Sequence, residues 1–141
     1  RKALEQQGAA SGLGHSLHLL GYVPLEDLVA LYNAARMLVF PSFYEGFGFP
    51  VLEAMACGTP VITSNTASGP EVTDGSALLI NPYDNDSVVD GMQQMAGDRS
   101  LRETLVQKGL VRAQQFTWAR TAQETFAVYE EIGHSIKIRQ F

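Results

Sequence analysis

The sequence predicts an α/β fold in which helices flank a parallel β-sheet. Short, continuous apolar runs alternate with segments whose apolar residues recur at helical spacing, and the connections between them are short. Continuous apolar runs are typical of strands that are covered on both faces, as in parallel sheets. Right-handed crossovers then place the carboxyl ends of the strands at one edge of the sheet, which is the expected ligand crevice.

The predicted elements follow in order from the amino end, where residues 1–16 are typical of a helix tail and a Gly/Ser-rich loop. Apolar runs predict strands at residues 16–20, 37–40, 60–63 and 77–80. Helical spacing predicts helices at residues 24–35, 50–57, 84–96, 101–115 and 117–132, with a short helical turn at 70–72. Pro24 and Pro50 are expected at the first helical position, where the missing N–H costs nothing, and Gly58 is expected to end its helix.

Composition excludes several classes of function. The chain has 141 residues, a formal charge of −5 and no cluster of Lys and Arg, which argues against a nucleic-acid partner. No segment approaches the ~20 apolar residues of a membrane span, and the amino end lacks the apolar region of a signal peptide. Cys57 is the only cysteine, so an internal disulfide and multi-thiolate metal sites are excluded. A reducing cytoplasm fits this pattern.

The most informative stretch is PSFYEGFGFPVLEAMACGTPVIT, residues 41–63. Gly46 and Gly48 are expected to adopt positive φ and to let a ligand approach the backbone closely. With Pro50 opening the helix, the N–H groups of Val51 and Leu52 are expected to be unsatisfied donors of its first turn. Such donors, with the positive end of the helix dipole, form a site for a phosphate or pyrophosphate.

Two carboxylates flank this expected anion site. Glu45 lies in the loop before the helix and Glu53 lies one turn into it, with seven residues between them. Carboxylates repel phosphate but accept hydrogen bonds from hydroxyl groups. A nucleotide sugar has this constitution, because its diphosphate joins a ribose to a sugar ring.

The motif resembles the signature of the group 1 glycosyltransferases, which are retaining enzymes with two Rossmann-like domains in the GT-B arrangement. Three further blocks are similar to successive parts of the C-terminal, donor-binding domain of that family: GYVPLEDLVALYNAARMLVFPS, SNTASGPEVTDGSALLINPYD and FTWARTAQETFAVYEE. The resemblance covers residues 16–132. It implies that residues 1–141 are one Rossmann-like C-terminal domain that lacks its first strand or strands, with the N-terminal acceptor domain outside the chain.

The resemblance also implies a role for each residue of the motif. Glu45 would be the catalytic carboxylate that holds hydroxyls of the transferred sugar, and Glu53 would bind the ribose. Backbone amides would line the sugar and the phosphates, and the backbone of the loop before the first long helix would lie near the base. The residues with backbone roles are Gly46, Phe47, Gly48 and Phe49 for sugar and β-phosphate, Val51 and Leu52 for the diphosphate, and Tyr22 and Val23 for the base.

The implied reaction is retaining transfer of a hexose, such as mannose or glucose, from a nucleoside diphosphate sugar to an acceptor glycan or lipid-linked sugar. This places the protein in bacterial polysaccharide biosynthesis and in the cytoplasm, with membrane association of the complete protein left open. The resemblance implies no metal and no other cofactor. The Arg and Lys that clamp the diphosphate in this family precede the matched region, so residues 1–141 alone are expected to be inactive.

Simpler interpretations stay open. Glu53 is also explained as a first-turn glutamate that the helix dipole favours, Glu45 as a solvated loop residue, and Tyr22 and Val23 as a strand end. The Phe47 and Phe49 side chains are expected to pack in the core. Two other functions remain: a non-catalytic nucleotide-binding module, and a sugar-nucleotide epimerase on the same fold.

Overall fold

The computed structural model describes the backbone of residues 2–138, and Arg1 and residues 139–141, the two ends of the predicted 1–141 domain, lie outside the described part. The chain forms two compact units, Arg1–Ala30 and Leu31–Phe141, and helix α2 contains the boundary between them. The elements are α1 (Lys2–Ala10), α2 (Leu25–Ala34), β1 (Leu38–Phe40), α3 (Phe49–Ala56), β2 (Val61–Ser64), α4 (Gly69–Thr73), β3 (Leu78–Ile80), α5 (Asn85–Gly97), α6 (Arg99–Ala113) and α7 (Trp118–Ile138).

The first unit contains α1 and an irregular segment that leads into α2. Gly8 is buried, and a Cβ there would lie 2.6 Å from Cδ2 of Leu17. The predicted strand at residues 16–20 is wrong, since residues 17–20 have no regular structure. A strand requires a neighbour that supplies the ladder of hydrogen bonds, and residues 2–30 contain no second strand in the described structure.

The second unit is built on a three-stranded parallel sheet in the order β1-β2-β3. The register pairs Phe40 with Thr63 and Thr63 with Leu79. Every residue of the central strand β2 is buried, as its continuous apolar run predicts. The predicted α/β class and parallel sheet are therefore confirmed.

Neighbouring residues of β2 point into two separate cores. Val61 packs with the buried face of α3, and Ile62 packs with Met95 of α5 and Leu105 of α6. Gly91 allows α5 to approach the sheet closely, because a Cβ there would lie 2.7 Å from Cγ2 of Ile80. Helices thus cover both faces of the sheet and leave its carboxyl edge to the loops.

The predicted helices agree with the observed bounds to within two residues, except that α7 continues to Ile138. Capping fixes two of the starts. The Asp84 side chain accepts a hydrogen bond from the Asp86 N–H at 3.0 Å, and the Asp98 side chain accepts one from the Leu101 N–H at 2.9 Å. None of the helices in the described part of the chain has the length and apolar character that crossing a membrane requires.

The close contact at Gly91 gives a first test. Gly91→Ala forces its Cβ against Ile80, so we expect the free energy of unfolding to fall by about 1–3 kcal/mol through overpacking. Gly97→Ala is the matched control, because a Cβ at Gly97 meets nothing within 4 Å. Urea denaturation of both variants makes the measurement, and a Gly91→Ala midpoint equal to that of the control would contradict the packing described above.

Candidate functional site

The loop that joins β1 to α3, residues 41–48, is named the GFG loop here, and it carries Glu45. The Glu45 side chain is half-buried and accepts a hydrogen bond from Oγ of Ser42 at 2.8 Å. This bond holds one carboxylate oxygen within the loop. Glu45 therefore lies at the carboxyl edge of the sheet, as predicted.

The GFG loop is held from the other side by the side-chain hydroxyls of Thr63, Ser64, Thr66 and Ser68, named the hydroxyl ladder here. Each of them donates to backbone carbonyl oxygens of residues 40–47. The bonds run from Thr63 to Phe40 at 3.1 Å, from Ser64 to Ser42 at 2.5 Å, from Thr66 to Phe43 at 3.3 Å, and from Ser68 to Glu45 and Phe47 at 3.0 Å each. The sequence analysis missed this feature, although the run TSNTAS directly after an expected strand was a usable signal.

The two glycines of the turn differ in conformation. Gly48 is the N-cap of α3 and has a φ of 93°, so the expected positive φ is confirmed there. The same expectation is wrong for Gly46, which is absent from the positive-φ glycines of the described chain. A Cβ at Gly46 would meet nothing within 4 Å, so the protein itself places no steric demand on that position.

The start of α3 differs from the sequence prediction by one residue. The helix begins at Phe49, and the Val51 N–H donates to the Gly48 carbonyl at 3.0 Å. The expectation that Val51 and Leu52 carry unsatisfied donors is therefore wrong for Val51. For Leu52, no hydrogen bond from the N–H to the Gly48 carbonyl is present in the described residues, so its expected free donor stays a prediction.

The available donors lie slightly earlier in the chain. Within residues 2–138, no protein group accepts a hydrogen bond from the N–H of Gly46, Gly48 or Phe49. These amides, rather than that of Val51, are free donors beside the positive end of the α3 dipole. The diphosphate-binding role of Val51 and Leu52 stays a prediction.

Glu53 projects from α3 into solvent and is in contact with Tyr32. The Tyr32 hydroxyl donates to Oε2 of Glu53 at 3.2 Å, and the Tyr32 carbonyl accepts a hydrogen bond from Oγ1 of Thr59 at 2.6 Å. Burial of its ring, followed by the nearby Glu53 carboxylate, raises the pKa of Tyr32 to about 12. Sequence analysis assigned Tyr32 only to the apolar face of a helix and missed this contact.

The Phe47 and Phe49 side chains pack against one another with ring centroids 5.0 Å apart, and Phe47 also contacts the Phe116 ring edge-on at 5.7 Å. The Arg112 guanidinium lies over the Phe116 ring at 4.8 Å. Phe47 is 36% exposed and Phe49 is 54% exposed, and neither belongs to a core cluster, so the expectation that these side chains pack in the core is wrong.

Arg112 also fixes the position of α4. Its guanidinium donates to the carbonyls of Val72 at 2.9 Å and Glu71 at 2.7 Å, near the end of that helix. Hydrogen bonds from a charged group are stronger than neutral ones. Because α4 directly follows Ser68, this contact also determines where the last hydroxyl of the ladder lies.

Tyr22 and Val23 belong to the first compact unit, in the turn that precedes α2. The Tyr22 side chain is 92% exposed, and Val23 is half-buried. Their expected place near a nucleotide base stays a prediction.

Comparison with known proteins agrees with this geometry. The family model "Glycosyl transferases group 1" matches residues 1–112. The chain is 47% identical over 114 residues to the O-antigen chain mannosyltransferase B of Escherichia coli, covering 81% of this chain and 30% of that protein. It is 34% identical over 123 residues to a D-inositol 3-phosphate glycosyltransferase of Corynebacterium jeikeium, covering 86% of this chain and 29% of that protein.

Solved structures show the same architecture. Sucrose-phosphate synthase from Thermosynechococcus elongatus superposes with a TM-score of 0.83 and 31% identity, over 95% of this chain and 34% of that one. The C-terminal domain of a group 1 family glycosyl transferase from Francisella tularensis superposes with a TM-score of 0.71 and 29% identity, over 81% and 60% of the two chains.

The chain therefore belongs to the group 1 glycosyltransferase family and has the Rossmann-like fold of the GT-B enzymes. It spans about 30% of the length of the curated relatives cited above.

The contact between Tyr32 and Glu53 gives a pH prediction. A folded pKa of about 12 against the ordinary 10.0 means that folding favours the neutral hydroxyl. This contribution to stability is complete below pH 10 and is lost as the pH rises from 10 toward 12. We expect the free energy of unfolding of Tyr32→Phe to fall less steeply over that range than that of the unmodified protein, as measured by denaturation at successive pH values. Parallel pH profiles for the two proteins would contradict the contact.

Proposed function

We propose that the complete protein containing this chain transfers a hexose from a nucleoside diphosphate sugar to an acceptor glycan or lipid-linked sugar, with retention of anomeric configuration. The chain described here binds the donor. The observation that carries the proposal is the pair of Glu45 and Glu53 on either side of free backbone amides at the start of α3. Membership of the group 1 family supports a nucleotide-sugar donor and a glycan acceptor.

The donor assignments follow from the chemistry of each group. Glu45 would accept hydrogen bonds from hydroxyls of the transferred sugar, and Glu53 would accept them from the ribose. The Tyr32 bond to Glu53 is long for an O–H···O contact, so a ribose hydroxyl can replace it at low cost. The amides of Gly46 to Phe49 would line the sugar and β-phosphate, Val51 and Leu52 would follow along the diphosphate, and Tyr22 and Val23 would lie near the base.

The proposed reaction breaks the bond between the anomeric carbon and the β-phosphate oxygen and forms a bond to an acceptor hydroxyl oxygen, which loses its proton. The nucleoside diphosphate leaves with the bonding electron pair, and its departing phosphate oxygen takes up the proton that the acceptor hydroxyl loses. Preorganised amides and the α3 dipole would stabilise the negative charge that develops on that leaving group. The proposal includes no metal ion and no further cofactor.

The proposed donor sugar is taken from proteins to which the chain is similar in sequence. The chain is 47% identical to an O-antigen chain mannosyltransferase and 39% identical to a serotype-specific mannosyltransferase, both of Escherichia coli. Mannose is therefore the proposed hexose, and synthesis of a bacterial surface polysaccharide is the proposed setting. A cytoplasmic location follows from the use of nucleotide-sugar donors, and contact with a membrane is proposed to involve parts outside residues 1–141.

Two carboxylate substitutions in the complete protein test the assignment. We expect Glu53→Gln to raise the donor dissociation constant at least about 10-fold, because charge-assisted hydrogen bonds to ribose are lost. Glu45→Gln should lower kcat by about 100-fold through loss of sugar positioning. Calorimetric titration with nucleoside diphosphate sugars and radiolabelled sugar transfer make the two measurements.

The matched control for both carboxylates is Glu103→Gln, an exposed glutamate on α6 that pairs with Arg99. Wild-type binding and turnover in both Glu45→Gln and Glu53→Gln would reject the proposed sites. Donor binding without any transfer would favour the non-catalytic nucleotide-binding module instead.

Gly46 provides a test that is independent of charge. Gly46→Ala adds a Cβ into open space at a position without positive φ, so the thermal midpoint should not fall. The same methyl group would obstruct a ligand that contacts the backbone, and we expect donor affinity to fall about 10-fold or more. Gly97→Ala is the control, and unchanged affinity in Gly46→Ala would show that no ligand approaches this amide.

A further inference from the structure

We propose that Ser68 is a positioning residue that orients two peptide groups of the GFG loop, so that the N–H groups of Gly46 and Gly48 face the donor. This inference rests on the proposed function and extends it to a residue outside the Glu-x7-Glu motif. In this proposal, Ser68 fixes the orientation of the free amides before a ligand binds.

The Ser68 hydroxyl contacts two carbonyl groups of the GFG loop. Its oxygen lies 3.0 Å from the carbonyl oxygen of Glu45 and 3.0 Å from that of Phe47. A serine hydroxyl has one hydrogen, so it shares this hydrogen between the two carbonyls or alternates between them. Both carbonyls, two residues apart, must therefore face the same point.

The orientation of the carbonyls determines that of the amides. In a planar trans peptide the carbonyl and the next N–H point in opposite directions, and the described chain has no cis peptide bond. The N–H groups of Gly46 and Gly48 consequently point away from Ser68. Two amides that face one side from a short loop form a concave site for an anionic oxygen.

The side of the GFG loop that faces Ser68 has no room for a nucleotide sugar. The cleft between the GFG loop and residues 63–72 has a cavity volume of about 10 Å³. That is below the range of ~300–1,000 Å³ typical of ligand pockets. A nucleotide sugar therefore does not bind between the loop and Ser68. The Gly46 backbone is exposed and a Cβ there would meet nothing within 4 Å, so the loop is open to a ligand at that residue.

Ser68 is itself held firmly in place. Ala67 has a φ of 50°, an uncommon conformation for a residue with a Cβ. On the other side of Ser68, a Cβ at Gly69 would lie only 2.1 Å from the Ser64 carbonyl oxygen. Strained or crowded backbone of this kind persists only where the surroundings determine it, and it concentrates at functional sites. Together with the Arg112 contact to α4, these features fix the direction of the hydroxyl.

The test uses the complete protein with Ser68→Ala and Ser68→Thr. Without the hydroxyl the two peptide groups are free to rotate, so the amides lose their preorganised direction. We expect Ser68→Ala to lower kcat about 10-fold with a smaller change in the donor KM. Ser68→Thr keeps the hydroxyl and should retain most of the wild-type kcat.

The matched control is Thr125→Ala. The Thr125 hydroxyl donates a hydrogen bond to the Thr121 carbonyl at 2.7 Å on the exposed α7. The substitution therefore removes a hydroxyl-to-carbonyl bond at a position remote in sequence from the GFG loop. Nuclear magnetic resonance of the Gly46 and Gly48 amides supplies a readout besides activity. In Ser68→Ala both resonances should shift, and they should respond less to added inorganic pyrophosphate than in the unmodified protein.

Three outcomes would overturn the proposal: kcat and KM of Ser68→Ala both within about twofold of wild type, unchanged Gly46 and Gly48 resonances, or a Ser68→Thr variant as slow as Ser68→Ala. If Ser68→Ala is destabilised, the kcat of Ser68→Thr decides whether the hydroxyl orients the loop. If the unmodified protein shows neither donor binding nor transfer, the proposed function fails, and the amide resonances of Ser68→Ala still decide the role of Ser68.

Discussion

Parallel pairing of β1 with β2 determines where the GFG loop leaves the sheet. Phe40, the last residue of β1, pairs with Thr63, so the segments that follow these strands emerge side by side. The hydroxyls of Ser64 and Ser68 are then within reach of the GFG-loop carbonyls. A slip of one residue would turn the buried side chains of β2 to opposite faces and separate these partners. The geometry of the loop is therefore a consequence of the buried sheet.

Burial of α3 likewise determines the position of the second carboxylate, Glu53. Val51, Leu52, Ala54 and Met55 are all buried, and Glu53 between them is exposed. Helical periodicity leaves residue 53 on the face that the core does not cover. Packing thus leaves Glu53 exposed on the uncovered face of α3, where the Tyr32 hydroxyl donates a hydrogen bond to its carboxylate.

The sequence predicted the strands and helices of the second unit, because continuous apolar runs and helical spacing report burial directly. It failed at residues 16–20, where strand formation depends on a partner segment that local pattern does not reveal. In the candidate site, the positions of Glu45 and Gly48 followed from the motif. The assignment of a free donor to Val51 failed, since moving a helix start by one residue changes which amides are satisfied. The hydroxyl-rich run that ends at Ser68 is a local signal of donors after β2, but the contacts of Tyr32 and Ser68 join residues far apart in sequence, and no local signal identifies the partners.

Some glycines of the second unit are required by the fold, and Gly46 is not. Gly48 needs its residue type for a backbone conformation, and Gly69 and Gly91 need theirs for close packing, with Cβ contacts of 2.1 and 2.7 Å. Gly46 meets neither demand, because its φ is not positive and a Cβ there would be in open space. Gly97 also meets neither demand, so open space alone does not identify a ligand site. What distinguishes Gly46 is its free N–H beside the start of α3, which the bond from Ser68 to the Glu45 carbonyl directs away from Ser68.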